Sequence, residues 1–105
     1  MDDVMISWIT CAHREEAEKI AEALVKEKIV ACVNIIPGVT SIFSWEEKVC
    51  REEEFLLMVK SVSTNQNALI EKVKTLHSYS TPEVISVPVQ SGNPDYLRWV
   101  LDVVK

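Results

Sequence analysis

"IVACVNIIPGVTSIFSWEEKVCREEEFLLMVKSV", residues 29–62, decides the fold. The apolar run 29–36 reads as a strand, Pro37-Gly38 bends or bulges it, and "VTSIFSW" (39–45) carries it on. "EEK" (46–48) has the form of a tight turn, and "EFLLMVKSV" (54–62) of the returning strand. The acidic "CREEEF" (50–55) between them reads as a solvated strand end or turn. Two strands running from Ile29 to Trp45 and back to Val62 are longer than two short helices can cover. The hairpin must therefore project beyond the core, with Phe43 and Trp45 towards its tip. Exposed strand edges and aromatics need shielding, and self-association is the expected answer.

Working outward, "VMISWIT" (4–10) is a first strand, rich in β-branched and aromatic residues. From Glu15 to Lys28, Ala17, Ile20, Ala21, Leu24 and Val25 form the apolar stripe of an amphipathic helix. A second helix takes Leu69, Ile70, Val73 and Leu76. "EVISVPVQ" (83–90) is the last strand, with Pro88 marking it as an edge. "NPDYLRWVLDVV" (93–104) begins a third helix, with Asn93 as its cap and Pro94 at its first position. The order β-α-β-β-α-β plus a C-terminal helix is that of an α+β, ferredoxin-like split βαβ sandwich with a long second hairpin. The 105 residues make one domain, 1–105, with no internal linker.

Composition excludes several functions. A formal net charge of −5 with scattered lysines argues against nucleic acid as a partner. No apolar run approaches the roughly 20 residues that span a bilayer, and the acidic start, Met1-Asp2-Asp3, is unlike a secretory signal. A cytoplasmic protein without a membrane partner is expected. Three cysteines with no Cys-x-x-Cys exclude a disulfide framework and a thioredoxin-type pair, and Cys32, inside an apolar run, is expected in the core. The two glycines, Gly38 and Gly92, leave no phosphate loop, and no nucleophile–base pair falls into place by spacing. Nothing in the sequence gives positive support for an enzyme.

Five motifs then become specific: "VACVN" (30–34), "IFSWEEKV" (42–49), "LLMVKS" (56–61), "LHSYSTPEV" (76–84) and "DYLRWV" (95–100). In this order and spacing they resemble the CutA family, the divalent-cation tolerance proteins, over nearly the whole chain. The resemblance implies a ferredoxin-like subunit assembling as a stable homotrimer through its long hairpins, and a link to copper and other divalent cations. It implies no family-wide reaction. Against the family pattern, Trp45-Glu46-Glu47-Lys48 lacks the usual turn glycine, so Glu47 must take that conformation unaided or the turn widens. Ser78 stands where a proline is usual. Of the copper ligands proposed in some bacterial members, His77 matches one histidine, while Leu76 and Ile9 occupy the places of the other histidine and of a first-strand cysteine.

These departures focus attention on "TLHSYSTPEV" (75–84). The residue before Pro82 is pushed towards an extended backbone, so His77–Thr81 must connect helix to strand. His77 has a plain structural role available at the helix C-terminus, and Tyr79 one over the sheet. The functional expectation is that His77, Tyr79 and Glu83 meet Lys60 and Trp45 of a projecting hairpin at an intersubunit cleft, suited to a small polar ligand or a weakly held metal. Copper is the expected ion and His77 its ligand, with Cys11, His13 or acidic side chains as candidates to complete the shell. Without an adjacent histidine or a first-strand thiol, that site is expected to be open and modest. The second class of function is a PII-like trimeric sensor or scaffold that binds a small ligand or a protein at its clefts.

Overall fold

In the computed structural model, which describes residues 2–105, β1 (Val4–Cys11), α1 (Arg14–Lys26), β2 (Cys32–Trp45), β3 (Lys48–Val62), α2 (Gln66–Leu76), β4 (Ile85–Pro88) and α3 (Pro94–Val103) follow in order. The strands form one antiparallel sheet in the order β2-β3-β1-β4. This is the ferredoxin-like fold, and the all-antiparallel order follows from interleaving two right-handed βαβ units.

Strand alternation divides the sheet into two faces. Ile9, Cys11, Leu57 and Val59 point inward, against Ala17, Ile20, Ala21 and Leu24 of α1 and Leu69 and Val73 of α2. Across this face Ser7 and Ser86 pair their hydroxyls at 2.6 Å, so the buried Ser7 is satisfied. At one end of the outer face, α3 covers Val4 and Val62 with Val100 and Val104. The rest of that face lies open. Its rungs read Cys32–Lys60–Ile6–Val87 and Asn34–Met58–Trp8–Ile85, followed by Ile36–Leu56–Thr10. Ile85 and Val87 are more than half exposed there. Among the described residues, no helix is long and apolar enough to cross a membrane.

Several boundaries differ from the sequence expectation, for local reasons. Residues 29–31 precede β2, because α1 ends in a Schellman turn: Lys28 N–H donates to Val25 O at 3.0 Å and Ile29 N–H to Leu24 O at 3.1 Å. Lys28 takes the left-handed conformation (φ 60°) that glycine usually fills. β3 starts at Lys48, six residues before the expected 54, because the acidic run is itself paired strand, Glu52 to Ser41 and Glu53 to Thr40. Glu46 and Glu47 form a two-residue turn with φ 50° and 65°, so the turn stays tight without glycine. β4 is shorter than 83–90 and sits at the sheet edge, as Pro88 requires. Cys32 is half-buried on the outer face, where the expectation had it in the core.

The bulge between Ile36 and Val39 shapes the site. Ile36 pairs with Leu56 and Val39 with Glu54, so Pro37 and Gly38 together oppose Phe55 alone. Gly38 adopts φ 74°, a conformation glycine enters without strain. The extra residue resets the alternation of β2. Phe43 and Trp45, rather than Ile42 and Ser44, therefore share a face with Glu52, Glu54 and Thr10.

Candidate ligand cluster and adjoining cleft

His77 is the C-cap residue of α2, and its backbone is extended, so the ring turns into the structure rather than along the helix axis. The side chain is fully buried. Its Nε2 lies 2.7 Å from Thr10 O, an atom that can only accept, and its Nδ1 lies 3.0 Å from Tyr79 N–H, which can only donate. The ring is therefore neutral, with its hydrogen on Nε2. Cys11 Sγ, at the end of β1, stands 3.8 Å from the same Nε2. The expectation that no first-strand thiol would accompany His77 is thus corrected. Ile9 is buried in the core, and the cysteine two residues further along the same inward face reaches the imidazole.

Glu16, in the first turn of α1, completes the group. Its carboxylate accepts from Ser78 N–H and, at 3.1 Å, from Ser78 Oγ, and Oε1 lies 3.7 Å from His77 Nδ1. One ligand atom each from Cys11, Glu16 and His77 fall within 4.8 Å of one another, a thiol, a carboxylate and an imidazole. Burial first, then the charges of Glu16 and Glu54, pushes the Cys11 thiol up to about 12. Near neutral pH this sulfur holds its proton. The charges of Glu16 and Glu54, the lesser causes of this shift, also favour a cation there. His13, the other half of the Cys-x-His pair, is exposed at the N-cap of α1 and stands outside the cluster.

Tyr79 links the cluster to a cleft. Its ring centroid lies 4.7 Å from that of His77, and its hydroxyl donates to Glu54 Oε2 at 2.7 Å. Burial, then this bond, raises the phenol above its ordinary range, so it remains a donor. The cleft has a volume of about 440 Å³, walled by Phe43, Trp45 and Tyr79 and by Glu52, Glu54 and Glu83, with Thr10 and the 80–81 segment between. Three of the expected cleft residues, Trp45, Tyr79 and Glu83, come together within one chain. Lys60 of the same chain does not join them. It stands on the open sheet face, where its Nζ donates to Asn34 Oδ1 and lies 3.9 Å from Cys32 Sγ. Sequence reasoning missed Glu16 and Glu54, because both read as ordinary surface acids; Glu54's strand parity was the available signal.

Comparison with known proteins identifies the family and the fold. The family described as CutA1 divalent ion tolerance protein matches residues 5–103. A Xenopus laevis CutA homolog is 46% identical over 98 residues, covering 93% of this chain, and the chain spans only 65% of that relative's length. The divalent-cation tolerance protein CutA of Thermus thermophilus is 44% identical over 100 residues, 95% of each chain. The solved Thermus thermophilus structure superposes with a TM-score of 0.93 at 42% identity, over 100% of both chains. The CutA1 structure from Oryza sativa does so with 0.95 at 37% identity, over 98% of this chain and 94% of that one.

Proposed function

This chain belongs to the CutA1 divalent ion tolerance family, and from that premise we propose that it is a homotrimeric protein that takes up copper or another divalent cation at Cys11 and His77, beside Glu16. The convergence of the three donor types within 4.8 Å carries the reading. A thiolate and an imidazole suit copper and zinc far better than magnesium or calcium. Cys11 Sγ and His77 Nε2 would hold such an ion, the thiol giving up its proton to solvent and the ring hydrogen now donated to Thr10 O moving to Nδ1. There it would face Glu16, the usual carboxylate support behind a ligating histidine. That exchange gives up the Tyr79 N–H bond to Nδ1, so binding is modest and reports on the 77–84 connection.

Trimer formation is supported by the open apolar sheet face and by the unpaired edges of β2 and β4. Calorimetric titration with Cu²⁺ and Zn²⁺ tests the metal site. Wild type should bind one ion per chain, and Cys11→Ser and His77→Ala should each remove that site. Equal uptake by all three proteins would transfer binding elsewhere. A second reading, a PII-like trimeric sensor or scaffold, draws its support from the cleft beside the cluster.

A further inference from the structure

We infer that the cleft between the hairpin and the 79–83 segment is a site for a small organic cation with N–H donors, an alkylammonium or guanidinium group. Its carbon portion rests on Phe43 and Trp45, and its charge is met by Glu52, Glu54 and Glu83. Glu54 is the anchor. This carboxylate is only 6% exposed, and the single side-chain hydrogen bond it receives is from Tyr79, on Oε2. Among the described residues, no lysine or arginine pairs with Glu52, Glu54 or Glu83. Buried carboxylates normally have a cationic or multiple hydrogen-bonding partner, and here that place is open to the cleft.

The lining also selects the kind of cation. A bare metal ion needs several donor atoms close to one point, and among the described residues the one such group of histidine, cysteine and carboxylate donors is Cys11–Glu16–His77. The cleft carboxylates are spread instead around about 440 Å³, the size of a small-molecule site. Aromatic faces beside them attract an organic cation through their quadrupoles and cover its apolar part. The bulge at Pro37-Gly38 brings those faces to the acidic side of the hairpin, so the combination is built by the backbone. Every lining residue comes from one chain.

Titration calorimetry with n-butylammonium chloride tests this, using metal-free protein in chelator at matched sodium chloride, with n-butanol as the neutral analogue. Saturable binding of the cation is expected, with n-butanol weaker by at least about tenfold, since a charge-assisted hydrogen bond is lost. Glu54→Gln should weaken the cation by a similar factor of about ten while leaving Tyr79 an acceptor, and its melting curve checks that the fold is kept. The Trp45 indole N–H resonance should shift on binding. Equal affinity for n-butanol, absence of saturation, or Glu54→Gln binding as tightly as wild type overturns the inference. Because no metal is present, these outcomes are independent of copper binding at Cys11 and His77.

Discussion

Tyr79 donates its hydroxyl hydrogen to Glu54 Oε2 at 2.7 Å, and this bond joins the α2–β4 connection to the projecting hairpin. Tyr79→Phe should therefore destabilise the chain by about 1–3 kcal/mol, the usual effect of leaving a buried acceptor unpaired. The phenol's folded pKa is raised, so its contribution is fully present below tyrosine's ordinary value, about 10, and is lost as pH rises beyond it. Denaturant melts at pH 7 and above 10 should show the wild-type advantage over Tyr79→Phe shrinking with alkalinity. A constant difference would mean that the phenol proton has no part in it.

The hairpin turn offers a second check. Glu46 and Glu47 both hold positive φ, which disfavours side chains with a Cβ by roughly 1–2 kcal/mol per residue. Glu47→Gly should raise stability by about 1 kcal/mol. Gly38→Ala should lower it by about the same amount through backbone strain alone, because nothing lies within 4 Å of the added Cβ. Scanning calorimetry should thus move the melting temperature in opposite directions for these two substitutions.

Much of this architecture was legible in the sequence. Apolar spacing located α1 and α2, Asn93-Pro94 opened α3, where the Asn93 side chain accepts from Asp95 N–H at 3.0 Å, and Pro37-Gly38 marked the bulge. The missed features have separate causes. Lys28 holds a conformation that sequence rules assign to glycine, so the end of α1 gave no local signal. The candidate cluster joins residues 11, 16 and 77, brought together only by packing α1 and α2 on β1. Residue type suggested His77, but no spacing rule relates it to Glu16. Lys60 was expected to meet the cleft across a subunit boundary; within its own chain strand register carries it towards the centre of the sheet.

Assembly is tested through the open face. Sedimentation equilibrium at micromolar concentration should give three times the chain mass. Val87→Asp, on the exposed β4 edge, should shift it towards the monomer by adding charge to a surface that associates through apolar contact. Trp45 is 57% exposed within one chain; if a neighbour buries it, Trp45→Ala should lose about 3–5 kcal/mol per site, the range for a buried aromatic. Wild type at the monomer mass would end the trimer reading. Unchanged melting of Trp45→Ala would show that this side chain stays in solvent.

Metal uptake should be coupled to proton release, and Cys11 sets the sign. The thiol is pushed up to about 12, so at neutral pH it is protonated and the ion must displace that hydrogen to bind the thiolate. Affinity should then rise about tenfold per pH unit below the thiol's titration, one proton leaving for each ion bound. Titrations in two buffers of different ionisation enthalpy measure this number directly. Cys11→Ser should abolish both the release and the binding at this site, since a serine hydroxyl does not ionise in the range and is a poor ligand for soft ions. Glu16→Gln should lower the thiol's titration and weaken binding less, because Glu16 acts behind the imidazole through Nδ1. Uptake without proton release would mean that the ion avoids Cys11, and the cluster would then be a structural contact between β1, α1 and α2.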